Sequence, residues 1–190
     1  DPLWSRGLGD VYKRQSRYLG KSEMNIAEFN QLPMQQATEI LRNCVQISSW
    51  GENIVVHRPF INSENLYNYA KQQTETWTWQ QISEALGNHP RIGEKKAIQS
   101  LNEREQQFSK NEQSNVNLTN AVQDALYKGN VDYENKFGFI FLIRALGRST
   151  EEILAELNRR LNNTPEQEQL EVKDQLSQIA LLRLKQEVTA

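Results

Sequence analysis

The 190-residue chain has one cysteine, two histidines and no apolar run long enough to cross a bilayer. A lone thiol, Cys44, excludes an internal disulfide, and two separated histidines are too few for a histidine-rich metal site. A spanning helix needs about 20 apolar residues, so no membrane partner is expected. Positive charge is in short supply as well. The 22 Lys and Arg against 24 Asp and Glu leave a net charge of −2, which argues against nucleic acid as a main partner. Hairpin signals, internal repeats and low-complexity linkers are absent, so a β-sandwich is not expected. What these absences leave is a cytoplasmic, metal-free protein.

What is present is a succession of helical patterns, in a length that fits one domain with its own core. Residues 1–23 stand apart from it. They show no apolar periodicity and lack the hydrophobic centre of a secretion signal. Asp10 to Gln15 resembles the translated end of a sequencing-library transposon adapter. Residues 1–23 are therefore expected to be a non-native or disordered leader, with Met24 as the natural start and 24–190 as the domain; a short basic arm is the alternative. The leader carries five basic and three acidic side chains, so the remainder has a net charge of −4.

Within the domain, Pro33 fits the first turn of a helix with Ala37, Ile40, Leu41 and Cys44 on one side. A short segment from Trp50 to Val56 stops at His57-Arg58-Pro59-Phe60. Ser63 is expected to cap a helix bearing Leu66, Tyr67 and Ala70. Trp79 to Leu86 reads as a helix, with Gly87 suited to a left-handed terminating residue. Lys95 to Leu101 fits a helical turn or two. Ser109 is expected to open a long helix running, with or without a break, to about Tyr133. Phe137 to Leu146 is nearly all apolar and must be buried, but periodicity does not decide between strand and helix. Ser149 or Thr150 caps a helix with Ile153, Leu154 and Leu157, and Thr164-Pro165 starts the last one, with Gln167 placed for a capping box. The fold class is all-α: a single-domain helical bundle with one buried apolar segment between helices.

Three places carry chemistry. His89 lies just after a helix, and Pro90 holds it in extended geometry. An imidazole with a pre-set backbone suits proton transfer near neutral pH; the alternative is a structural histidine bonding the last helical carbonyls. Arg183 continues the apolar stripe Val172, Leu176, Ile179 on the final helix, so its guanidinium must find an anion or several acceptors. A structural carboxylate or a planar ligand group, such as a carboxylate or ureido carbonyl, would serve. Ser109-Lys110-Asn111-Glu112-Gln113 has the spacing of a capping box. The functional alternative places Glu112 and Gln113 in a first turn facing a cleft, where Glu112 orients His89 or accepts ligand N–H groups. His57 reads as structural, the tryptophans as packing residues, and Lys95-Lys96 as a solvated face.

Taken together, His89-Pro90-x-Ile92-Gly93, Ser109-x-x-Glu112-Gln113, Phe137-Gly138-Phe139-x-Phe141 and Arg183-Leu184 resemble 2-oxo-4-hydroxy-4-carboxy-5-ureidoimidazoline (OHCU) decarboxylases of urate degradation. The resemblance runs from about Phe29 to Leu184 and includes Arg58-Pro59-Phe60 as structural support. It implies an all-helical, cofactor-independent homodimer that converts OHCU to (S)-allantoin with loss of carbon dioxide. By the same resemblance, His89 and Glu112 match the catalytic pair and Arg183 the substrate-binding arginine. Pro90, Ser109 and Gln113 match other pocket residues, and Phe141, Leu142 and Ile143 match the segment whose backbone lines the pocket. Ile140 stands where the family often has proline. Two other readings remain at this point: a lyase acting on a related ureido or imidazoline compound, and a non-catalytic helical interaction module.

Overall fold

The computed structural model describes residues 23–93, 101–114, 116 and 119–190. The helical patterns become α1 (Ile26–Gln31), α2 (Met34–Cys44), α3 (Ser48–Val56), α4 (Ser63–Thr74), α5 (Trp79–Leu86), α6 (Glu103–Glu112), α7 (Asn120–Phe137), α8 (Thr150–Arg160) and α9 (Pro165–Glu187). Among the described residues the only strand-like pairing is a single parallel bridge between Met24 and Val188. No described helix is long and apolar enough to cross a membrane.

The longest helix, α9, is the hub. It packs on α2, α4 and α5, α2 packs in turn on α3 and α6, and α8 lies on α7. Thr164 caps α9 through a box with Gln167, and Pro165 supplies its first turn. Val172, Leu176 and Ile179 then face the interior, with exposures of 0, 0 and 4%. Around α9 sits the larger apolar cluster, with Trp50, Leu41, Leu66 and Ile82 at its centre. A smaller cluster joins α7 and α8 through Leu126, Tyr133, Ile153 and Leu157. Gly129 allows that second contact, because a Cβ there would lie 2.3 Å from Leu157 Cδ2.

The apolar segment after α7 runs between the two clusters and is neither strand nor helix. Gly138, at φ +83°, ends α7 in left-handed geometry. Beyond it, Phe141, Ile143 and Ala145 enter the smaller cluster and Leu142 the larger one, the alternation of an extended chain. Both faces are covered, which explains the absence of an amphipathic period. Among the described residues no neighbouring strand makes a ladder, so side chains hold the segment instead: Arg160 Nη1 donates to Leu142 O at 2.8 Å, and Gln175 Oε1 accepts from Arg144 N–H at 2.9 Å.

Several boundaries differ from the sequence expectations. Asn62, not Ser63, caps α4, accepting from the Asn65 N–H at 2.8 Å; both residues cap well, and adjacent candidates are not separated by local pattern. Pro33 occupies the cap of α2 rather than its first turn, with ψ at 142°. Gly87 is right-handed, at φ −59°, because α5 unwinds through successive tight turns in which Asn88 N–H and His89 N–H donate to Ala85 O and Leu86 O. The left-handed glycine of this loop is Gly93, at φ +86°. Ser149 caps α8 through a box with Glu152, one of the two residues expected there. The proposed leader (apart from Glu23) and the helical turn from Lys95 (apart from Leu101) lie outside the described residues.

Candidate active site

The largest correction concerns Ser109 and Glu112. Ser109 does not open a helix. Helix α6 begins six residues earlier, at Glu103, capped by Asn102, which accepts from Glu105 N–H at 2.9 Å while Glu105 reaches back to the Asn102 N–H at 3.3 Å. Asn102-x-x-Glu105 and Ser109-x-x-Glu112 have the same spacing, and the first is the one used. Ser109 is interior to α6 and 1% exposed, and Glu112 is the last residue of that helix. A helix C-terminus disfavours a carboxylate, so the stabilising charge must come from elsewhere.

It comes from Arg183. Arg183 Nε donates to Glu112 Oε1 at 2.7 Å and Nη2 donates to Oε2 at 3.0 Å, a two-bond fork. The side chains are 4% and 15% exposed. The guanidinium also lies over the Phe108 ring at 5.1 Å, and Nη1 makes a long contact with Asn43 O at 3.5 Å. The core stripe of α9 thus leads an arginine to an anion, as its position requires.

A second pair flanks the first. Arg104 Nε donates to Glu187 Oε1 at 2.5 Å, and its guanidinium also lies over the Phe108 ring, 4.2 Å from the centroid. Arg104, Phe108 and Glu112 are four apart on α6, and Arg183 and Glu187 are four apart on α9, so one face of each helix supplies the whole cluster. Burial raises the Glu187 carboxyl pKa, with Arg104 opposing. Cys44, fully buried beside these charges, has its thiol pushed up by burial and then by Glu187, and so stays protonated.

His89 follows α5 in a loop pinned at both sides. Gly93 N–H donates to Gln113 Oε1 at 3.2 Å, Arg91 Nε pairs with Glu134 at 2.5 Å, and Asn130 Nδ2 contacts Ile92 O at 3.4 Å. The loop is therefore fastened to the end of α6 and to α7. Ile92 packs in the cluster that contains Phe141 and Ile143. The imidazole is partly buried, and desolvation, with the nearby Arg183 charge adding, pushes its pKa down to about 3. It is neutral at pH 7. Among the described residues no carboxylate bonds the ring, and Glu112 turns both oxygens to Arg183 rather than to His89.

Glu112 and Arg183 are thus in direct contact, His89 lies within the field of Arg183, and Gln113 ties the His89 loop to the same helix end. Pro90 is partly buried beside His89. Ser109 lies one turn before Glu112, and its Oγ has no hydrogen-bond partner among the described residues. Phe141, Leu142 and Ile143 are buried, and none of their backbone N–H groups donates to a described residue. Leu142 O is already taken by Arg160. His57 is set apart, stacked on Tyr69 with ring centroids 3.9 Å apart.

Sequence reasoning missed Phe108, Arg104, Glu187 and Arg160. Arg160 carried the same signal as Arg183: it continues Ile153 and Leu157 at spacings of four and three, and it is 0% exposed. Its place in a basic last turn hid it, since arginine there also suits the helix dipole.

The OHCU decarboxylase family profile matches residues 30–185. A 2-oxo-4-hydroxy-4-carboxy-5-ureidoimidazoline decarboxylase from Haloferax volcanii is 23% identical over 163 residues, covering 85% of this chain and 95% of that protein. A uric acid degradation bifunctional protein from Bacillus sp. (strain TB-90) is 26% identical over 164 residues, covering 86% of this chain but 32% of that protein. The chain therefore spans about a third of the length of that bifunctional relative. The crystal structure of an OHCU decarboxylase in the presence of (S)-allantoin superposes with a TM-score of 0.59 at 26% identity, covering 76% of this chain and 93% of that one. The profile match takes in α2 through α8 and nearly all of α9, and on this ground the chain belongs to the OHCU decarboxylase family.

Proposed function

We propose that the chain decarboxylates OHCU to (S)-allantoin in urate degradation. The observation that carries this reading is the enclosed Arg183–Glu112 fork beside a neutral His89. The substrate has a tetrahedral ring carbon bearing both hydroxyl and carboxylate, next to the ring C=N carbon that bears the ureido group. When the carbon–carboxylate bond breaks, carbon dioxide leaves and its electron pair forms a C=C bond to the ureido-bearing carbon. The C=N electrons move to nitrogen, which takes a proton. The hydroxyl then loses its proton as the ring carbonyl forms, and the ureido-bearing carbon gains one on a single face. That last step sets the stereochemistry.

Each side chain has a part suited to its state. His89, neutral at pH 7, accepts the hydroxyl proton. Arg183 has donors left beyond Glu112 and grips a carboxylate or ureido carbonyl. Glu112 accepts ureido N–H groups, and Ser109 and Gln113 add polar contacts on the same helix, with Pro90 shaping the wall next to His89. A backbone N–H of the Phe141 to Ile143 segment donates to the oxygen that gains charge, a contribution of about 3–4 kcal/mol per donor in comparable sites. We further propose that residues 24–190 are the catalytic domain, acting as a cytoplasmic homodimer. Removal of 1–23 should leave turnover unchanged, and light scattering should give twice the chain mass.

The test is chiral. Protein added to freshly made OHCU should give allantoin with a circular dichroism signal and faster than spontaneous decay. Racemic allantoin at the spontaneous rate contradicts the assignment.

A further inference from the structure

We propose that Arg160 is a positioning residue for this reaction: from inside the core it aims the Leu142–Ile143 peptide, so that the Ile143 N–H is presented to the substrate. The inference rests on the decarboxylase reading for the identity of the substrate. Arg160 and Glu168 are both 0% exposed. Arg160 Nε donates to Glu168 Oε1 at 2.7 Å, and Nη2 lies 2.5 Å from the same oxygen. The Tyr133 hydroxyl donates to that oxygen too, and Asn163 Nδ2 donates to Oε2 at 2.9 Å. The guanidinium rests on the Phe141 ring, 4.6 Å from its centroid. Arg160 Nη1 takes no part in holding the carboxylate and donates instead to Leu142 O at 2.8 Å, while Nη2 lies near the carboxylate without an aligned hydrogen bond.

That carbonyl belongs to a stretch of the core that has no helix or ladder to hold its peptide planes. A trans peptide is planar, so the N–H of Ile143 points away from the Leu142 carbonyl that Arg160 pulls. The next N–H, of Arg144, is held by Gln175. Between these two tethers the Ile143 N–H donates to no described residue, although Ile143 is 3% exposed. Unpaired buried N–H groups are rare in folded proteins, so an orphan held on both sides is a donor in waiting. Packing alone does not account for the ion pair either. An apolar pair of similar volume commonly serves a core as well or better, whereas it supplies no donor to Leu142 O.

The experiment compares the parent with Arg160→Met/Glu168→Met, which removes both charges together, and with Tyr133→Phe, which loosens Glu168 but leaves the Arg160–Leu142 bond. Each is measured for thermal unfolding, helix content, kcat and KM with fresh OHCU. The double variant should fold and lose 10- to 100-fold in kcat with KM within twofold, while Tyr133→Phe keeps kcat within twofold. A folded double variant with kcat within twofold of the parent overturns the proposal, as does a Tyr133→Phe loss equal to that of the double variant. If the double variant does not fold, Arg160→Lys takes its place. Lysine keeps a charge at Glu168 without the fork, so the same split is expected, and unchanged kcat overturns the proposal. A parent that itself fails to catalyse refutes the decarboxylase reading and the inference with it; an active parent with an unaffected variant refutes the inference alone.

Discussion

At one end of α9, Glu168 sits fully enclosed with Arg160, Tyr133 and Asn163 all donating to it. At the other, Arg183 holds Glu112 alone, the carboxylate is 15% exposed, and the third guanidinium nitrogen has only a 3.5 Å contact. The two charges are fifteen residues apart, about 22 Å along the helix. Both interrupt the same apolar stripe, so burial does not distinguish them. Saturation does. A carboxylate that three of the protein's own side chains hold, with no exposure, leaves no place for a ligand. A pair with donors and lone pairs left over, beside a neutral imidazole, is ready for a ligand.

The contrast breaks most readily at the closed end. Arg160→Ala leaves Glu168 buried and unpaired and should cost about 3–5 kcal/mol, a large share of a domain's stability. Urea unfolding checks this, and a loss below about 1 kcal/mol would mean that the cluster is less enclosed than it looks. At the open end the largest effect is on rate. His89→Asn should keep the helical spectrum and lose about 10²–10³ in turnover, the range for a positioned acid–base group. Unchanged turnover removes His89 from the chemistry. Arg183→Gln should raise KM about tenfold, the equivalent of about 1.4 kcal/mol of binding, with the helices intact. Unaltered KM and kcat would make the Arg183–Glu112 pair purely structural.

The smallest effect is on pH dependence. The His89 pKa is depressed in the fold, so the unfolded chain binds its proton first, and stability from this group is complete above about pH 6.5 and lost as pH falls toward about 3. Between pH 7 and 5 the parent should lose more stability than His89→Asn, by no more than about 2 kcal/mol. Equal losses would show that the imidazole is well solvated. The catalytic pH profile should likewise lack a His89 inflection near 6.5.

Much of this arrangement was legible in the sequence. Arg183 announced itself because an arginine on a core stripe has to meet an anion, and it does. Arg160 carried the same mark, but a last-turn arginine has an ordinary surface explanation as well. The identity of Arg183's partner was a different matter. Glu112 read more readily as part of a cap, and two capping boxes with one spacing compete between Asn102 and Glu112. What selects the first is tertiary: Phe108 must be buried and Arg104 must reach Glu187, contacts across about 80 residues that no local window contains. The segment from Phe137 to Leu146 was recognisable as buried for its composition, but the extended, ladder-free form of Phe139 to Ala145 depends on having a core on each side.

The most direct test of the contrast follows arginine Nε resonances in ¹⁵N-labelled protein titrated with (S)-allantoin. Arg183 Nε and the His89 ring signals should move to saturation together while Arg160 Nε stays in place. Allantoin that leaves Arg183 and His89 unmoved at high concentration, or that moves Arg160 in their stead, would contradict the account.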